Sequence, residues 1–305
     1  MLTVTERVTR RVLNARGYTS RWLPTSVGRV HVLQRPGQGE LPPVVLMHGI
    51  SANGLSFTQM LGRFVAHARR VTAPDCPGHG FSDTPRGGLD RDSMLAGLRE
   101  SLDRIIDEPV ILLGTSMGGF VATRYAAENP DKVRALALVC PGGAPSSSDE
   151  SFRQFLDTFD IQGHAKALEF VDRMLVRSPQ GLRHVLAHGI RSRFSHPELR
   201  RLLASISVAD MLRPDELARL SMPTLLLWGR DELILPPCHL DFFKQHMPPH
   251  VQIEEWSNFG HCGFLERPEA VARRVIRFAR TAFSEESPGT VSTRVRKHDT
   301  LRISA

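Results

Sequence analysis

The stretch Val110-Ile111-Leu112-Leu113-Gly114-Thr115-Ser116-Met117-Gly118-Gly119 constrains this chain more than any other. Four consecutive branched aliphatics read as a buried strand, and the residues from Met117 through Tyr125 read as a helix. Ser116 is therefore expected at a sharp strand-to-helix turn, a place that presents a nucleophilic hydroxyl. Gly114 and Gly118, two residues to either side, lack the Cβ atoms that would clash in so tight a turn. The pattern G-x-S-x-G is short and recurs by chance; its place between strand and helix gives it meaning.

Further apolar runs of strand length fall at Val44 to Met47, Arg70 to Ala73, Val133 to Val139, Thr224 to Trp228 and Val251 to Glu255. Ser20 to Leu23 and Arg29 to Leu33, around the turn Pro24 to Gly28, suggest an opening hairpin. Helical stripes lie between the runs, as in Met94, Leu95, Leu98, Leu102, Ile105 and Ile106, and a last one at Val271, Val275 and Phe278. Strands alternating with helices predict an α/β fold with a doubly wound, mostly parallel sheet. The alternation stops between Pro141 and about Met222. Successive helical stripes replace it: Phe152, Phe155, Leu156 and Phe159, then Phe170, Val171, Met174 and Leu175, then Leu182, Val185, Leu186 and Ile190, then Leu199, Leu202, Leu203 and Ile206. The expected organisation is a basic segment over 1–19, a core over 20–143 and 219–283, a helical cap over 144–218 and a flexible tail over 284–305.

Composition limits the function classes. The chain has 305 residues, 41% of them hydrophobic, enough for one large domain. No apolar run approaches the roughly 20 residues that span a bilayer, and the arginine-rich start lacks an apolar signal segment, so no integral membrane association is expected. The net charge of +7 is concentrated: residues 1–40 hold seven Arg and two Glu, and residues 177–213 hold seven Arg, one Glu and one Asp. Neither stretch interleaves these charges with aromatics, so no nucleic-acid partner is expected. Cys76, Cys140, Cys238 and Cys262 lack CxxC spacing, which points to reduced thiols in a cytoplasmic setting and to no metal. Nothing in the sequence sets the oligomeric state.

A serine hydroxyl needs a base within hydrogen-bond reach and an acid that orients the base. His261, in Asn258-Phe259-Gly260-His261-Cys262-Gly263, follows the last strand run and is the expected base. The acid is expected in Gly229-Arg230-Asp231-Glu232-Leu233-Ile234-Leu235-Pro236, where Glu232 and Asp231 are adjacent candidates. The carboxylate not used is expected to face solvent or pair with Arg230. Backbone N–H groups of Ile50 and Met117 are expected to converge above Ser116 as oxyanion donors. His48 and His79 are read as histidines that organise turns through backbone hydrogen bonds.

With these marks on the page, the chain resembles the α/β-hydrolase superfamily, in its capped branch of serine esterases and lipases. The matching residues are His48-Gly49, Pro74-Asp75-Cys76-Pro77-Gly78-His79-Gly80-Phe81-Ser82, Gly114-Thr115-Ser116-Met117-Gly118, Gly229 to Pro236, and Gly260-His261 with Glu266-Arg267-Pro268-Glu269. They cover about residues 20 to 283. In that family the acid is usually Asp, three residues after the glycine and four before the proline; here Glu232 holds that position, with Asp231 one residue early. Relatives that open epoxides or remove halides carry Asp at the nucleophile, which Ser116 argues against.

The resulting expectation is a carboxylesterase-like serine hydrolase that needs no cofactor and cleaves an ester of a small or medium-sized apolar substrate. Phe152, Phe155 and Phe159 are candidate acyl-binding residues on the cap. A carbon–carbon bond hydrolase, a thioesterase and a perhydrolase of the same fold are alternatives. A non-catalytic receptor for a small apolar ligand is the alternative of a different class.

Overall fold

The computed structural model describes residues 3–177 and 180–285. The chain begins with helix α1 (Val4–Ala15), followed by β1 (Thr19–Pro24), β2 (Arg29–Pro36), β3 (Val44–Met47), α2 (Thr58–His67), β4 (Arg70–Pro74), α3 (Arg91–Ile105), β5 (Val110–Ser116), α4 (Met117–Glu128) and β6 (Val133–Pro141). Five helices come next: α5 (Asp149–Asp157), α6 (Gly163–Met174), α7 (Gln180–Phe194), α8 (Pro197–Ala204) and α9 (Pro214–Ala218). The chain then returns to the sheet through β7 (Thr224–Gly229), α10 (Pro237–His246), β8 (Gln252–Trp256), α11 (Gly263–Glu266) and α12 (Pro268–Glu285).

The eight strands form one sheet in the order β1-β2-β4-β3-β5-β6-β7-β8. β1 pairs with β2, and β2 with β4, antiparallel; every other neighbour is parallel. Val44 to Met47 and Val110 to Leu113 are buried on both faces, which is why they read as unbroken apolar runs rather than alternating ones. The side on which successive strands are added switches at β3. The chain passes from β3 outward to β4, then crosses back to β5 on the other side of β3, so the carboxyl ends of β3 and β5 open onto one crevice. Met47 lies in register with Gly114 there, which brings the loops after both strands together.

Two differences from the sequence reading have clear causes. β5 continues three residues past Leu113, because Gly114, Thr115 and Ser116 still pair with Leu138, Val139 and Pro141 of β6. The basic amino-terminal segment contains α1, started by a capping box between Thr3 and Glu6. Leu13 is its one buried residue; Val4, Val8 and Val12 recur at helical spacing but stay exposed, so α1 is not packed through that stripe. In α7, Leu182 and Val185 are exposed, so that stripe does not pack as a unit. The tail expected from 284 lies outside the described residues from 286 onward. Among the described residues no helix is long and apolar enough to cross a membrane.

Candidate active site

Ser116 sits at the junction of β5 and α4 with φ 51° and ψ −122°. A non-glycine residue held there costs about 1–3 kcal/mol and persists only where its surroundings enforce it. Packing supplies that enforcement. A Cβ on Gly114 would stand 2.4 Å from the Gly118 carbonyl oxygen, and one on Gly118 would stand 2.2 Å from that of Met47. Both glycines are therefore required for the turn to close against β3.

His261 follows β8 and is 8% exposed, with Nε2 3.0 Å from Ser116 Oγ and Nδ1 2.7 Å from Glu232 Oε2. An ionised carboxylate only accepts, so Nδ1 carries the ring proton and Nε2 is free to accept from the serine hydroxyl. The other oxygen of Glu232, Oε1, accepts from the Ile234 and Leu235 N–H groups at 2.7 and 3.0 Å. Burial works to raise the Glu232 pKa, but the imidazole and the two N–H groups outweigh it and hold the carboxyl below its ordinary range. The Glu232 carboxylate is thus fixed at both oxygens.

Asp231 does a different task. It is exposed, and its Oδ2 accepts from the Phe259 N–H at 3.2 Å, while its own N–H donates to the Phe259 carbonyl at 3.2 Å. This pair of bonds ties the loop after β7 to the loop that carries His261. Cys140, at the end of β6, lies buried near Glu232, and burial together with that carboxylate pushes its thiol pKa well up, leaving a neutral thiol.

The loop after β3 packs directly on Ser116: a Cβ on Gly49 would be 3.1 Å from Ser116 Cβ. Gly49 O accepts from His48 Nδ1 at 2.8 Å and from Ala52 N at 3.2 Å. The Ile50 N–H occupies the opposite end of the same planar peptide unit and so faces away from His48. His48 Nε2 in turn accepts from the Cys76 N–H at 2.9 Å, which fixes a neutral ring with its proton on Nδ1. Burial depresses the His48 pKa in keeping with that state. Met117 is the first residue of α4, where backbone N–H groups have no partner within the helix. His79 Nδ1 lies 3.0 Å from the Pro77 carbonyl, and burial lowers its pKa to about 4.

One residue of this framework carries more than its place in a motif suggests. Asp75 is buried beneath the site; it accepts from His31 Nδ1 at 2.9 Å, Gly54 N at 2.7 Å and Phe81 N at 2.8 Å. It joins the loops after β3 and β4, and those partners are not visible in its local sequence.

An apolar cavity of about 90 Å³ reaches Ser116. Ile50, Met117, Phe152, Phe155, Phe159, Leu203, Ile206, Met211 and Leu235 line it. Phe155 meets Phe159 edge-on at 5.4 Å between ring centroids, and Phe159 packs in turn on Phe170 and Phe194 at 5.9 and 5.8 Å. Phe159 therefore belongs to both the cavity wall and the packing of the helices between β6 and β7.

Monoacylglycerol lipase ABHD6 of Homo sapiens is 28% identical over 265 residues, covering 79% of this chain and 76% of that protein. Naproxen esterase from Bacillus subtilis has a similar fold, with a TM-score of 0.71 and 21% identity over 91% of this chain and 99% of that one. The 2-hydroxy-6-oxo-6-phenylhexa-2,4-dienoate hydrolase of Rhodococcus sp. strain RHA1 superposes with a TM-score of 0.72 and 22% identity, covering 86% and 99%. Residues 44–274 match the family described as the alpha/beta hydrolase family. With that match spanning the crevice, the turn at Ser116 and the loop of His261, the chain belongs to the alpha/beta hydrolase family and is a hydrolase.

Proposed function

We propose that this chain is a serine hydrolase that cleaves a carboxylic ester with an apolar acyl group, and that its alcohol part is a glycerol-type polyol. The observation that carries the reading is the Ser116–His261–Glu232 hydrogen-bond chain opening onto an apolar cavity. The monoacylglycerol activity in the name of the human relative supports the alcohol assignment.

Ser116 Oγ attacks the ester carbonyl carbon as its proton passes to His261 Nε2. Glu232 stabilises the imidazolium, and the Ile50 and Met117 N–H groups receive the developing oxyanion. Collapse of the tetrahedral intermediate returns the His261 proton to the departing alkoxide and leaves the acyl group on Ser116. Water then repeats the sequence: His261 takes its proton, the hydroxide adds to the acyl carbon, and the carboxylic acid leaves as Ser116 is reprotonated. Phe152, Phe155 and Phe159 hold the acyl chain in the apolar cavity that reaches Ser116.

The test combines labelling with turnover. A fluorophosphonate should modify Ser116 stoichiometrically, and p-nitrophenyl esters of increasing acyl length should show a maximum at short to medium chains. Monoacylglycerols should release free acid. A protein that resists labelling while remaining folded would instead be a receptor with an unactivated serine.

A further inference from the structure

The turn that carries Ile50 is gripped from two places far away in sequence. Glu6, in the first turn of α1, accepts with Oε1 from Asn53 Nδ2 at 2.5 Å and from Arg193 Nη2 at 2.6 Å. Arg193, in the last turn of α7, donates with Nη1 to the Ser51 carbonyl at 2.7 Å. Asn53 is 4% exposed and uses its remaining oxygen to accept from the Leu55 N–H at 3.0 Å. Ser51 itself has φ 61°, unfavourable for a residue with a side chain. Ser51 and Ala52 offer little side-chain packing to hold such a turn, so its shape depends on what its backbone groups are bonded to.

We propose that Glu6 and Arg193 form a clasp that positions the Ile50 N–H over Ser116, making both of them positioning residues for the reaction. This rests on the reading of Ser116 as the nucleophile of an ester hydrolase. A guanidinium bonded at once to a carbonyl and a carboxylate fixes the direction of both, and here the carbonyl is one residue beyond the proposed oxyanion donor. Neither side chain borders the apolar cavity that holds Ser116. Glu6, Ser51, Asn53 and Arg193 border a separate polar cavity of about 270 Å³, so removing the clasp admits water there and leaves the acyl wall intact. The family match begins at residue 44, which places Glu6 on a helix outside the matched segment. The inference is therefore that α1 takes part in the chemistry.

The experiment measures kcat, KM, melting temperature and the fluorophosphonate labelling rate of Ser116 for Arg193→Met, Arg193→Lys, Glu6→Gln and the double variant Glu6→Gln/Arg193→Met. Arg193→Met should lower kcat and the labelling rate about tenfold or more, since misplacing one donor forfeits part of the 10²–10³-fold effect of an oxyanion contact. KM should stay within about twofold, because the acyl wall is untouched. Arg193→Lys should recover part of the loss, and the double variant should be no worse than Arg193→Met alone, as expected of residues acting as one unit. Glu6→Gln decides between a clasp and a simple electric field. A clasp predicts a lower kcat, whereas a field from Arg193 acting directly on the oxyanion predicts a higher one once its counter-charge is gone. If Arg193→Met proves unstable, the milder Arg193→Lys and Glu6→Gln carry the decision. Variants that label as fast as the wild type would overturn the clasp alone; a wild-type protein that does not label would overturn the ester-hydrolase reading and the clasp with it.

Discussion

Asp231 and Phe259 exchange two backbone-anchored hydrogen bonds, Asp231 accepting from the Phe259 N–H and donating to the Phe259 carbonyl, both at 3.2 Å. Its neighbour Glu232 points the other way, to His261 Nδ1 at 2.7 Å. Adjacent carboxylates thus divide the work of holding the loop and orienting the ring. Glu232→Gln should lower kcat by about 10⁴-fold, because an amide leaves the imidazole without its anionic partner and with the wrong tautomer available. Asp231→Asn keeps an acceptor for Phe259 and should stay within about threefold of wild type. Steady-state kinetics on one activated ester checks both, and the reverse ranking would reassign the acid.

The turn at Ser116 allows activity and stability to be separated. Ser116→Ala should reduce kcat by about 10³-fold or more without unfolding the protein. Ser116→Gly should be equally inactive yet more stable by about 1 kcal/mol, since it relieves the positive φ. Gly118→Ala should be destabilised by about 3 kcal/mol or more, given that its methyl would meet the Met47 carbonyl at 2.2 Å. Urea titration of the three variants measures the order.

Phe155 and Phe159 differ in what stands behind them, and their alanine variants should differ accordingly. Phe159 is 7% exposed and packs on Phe170 and Phe194, so Phe159→Ala should cost about 3 kcal/mol as well as changing substrate preference. Phe155 is only half-buried; Phe155→Ala should shift the preferred acyl chain to longer lengths with a smaller loss of melting temperature. A panel of p-nitrophenyl esters together with thermal melts decides whether either residue reads the acyl group. An unchanged preference in both would assign them to packing.

Acid stability should carry the signature of buried neutral histidines, His79 and His239 beside His48. Burial lowers the pKa of both His79 and His239 to about 4, against about 6.5 in an unfolded chain. Above about pH 6.5 neither state binds the proton; as pH falls toward 4 the unfolded chain takes it up and the folded one does not. Stability is therefore full above that range and declines through it, by up to about 1.4 kcal/mol per pH unit for each histidine. His239→Phe should flatten the decline between pH 6.5 and 4 in denaturant titrations. An unchanged slope would mean that His239 is protonated in the fold.

The central strands of the sheet were legible because residues 44–47, 110–113, 135–139 and 225–228 are buried on both faces, which leaves unbroken apolar runs. The order Ser116, Glu232, His261 was legible because each follows a strand run and their loops share one edge of the sheet. α1 was not, because Val4, Val8 and Val12 on its outer side are exposed and Arg7 and Arg11 lie between them, so its helix is set by the Thr3–Glu6 cap rather than by a buried stripe. Arg193 was read only as part of a basic stretch. Its contacts with Glu6 and Ser51 join residues 187 and 142 positions apart, and no local pattern announces such a pairing.

The helices α5 to α9 leave the sheet after Pro141 and return at Thr224, on strands that are immediate neighbours with Leu136 in register with Thr224. The ester-cleaving groups proposed here hang instead from the ends of β3, β5, β7 and β8. Lengthening the chain between those two adjacent anchor points adds little closure entropy and leaves the strand pairing standing, while the Met174 carbonyl that accepts from the Cys262 N–H and the Arg193 contact to Ser51 tie this segment to the catalytic edge. Substrate range can drift in this architecture while the reaction stays fixed, so long as the Arg193 contact to the Ser51 carbonyl is kept.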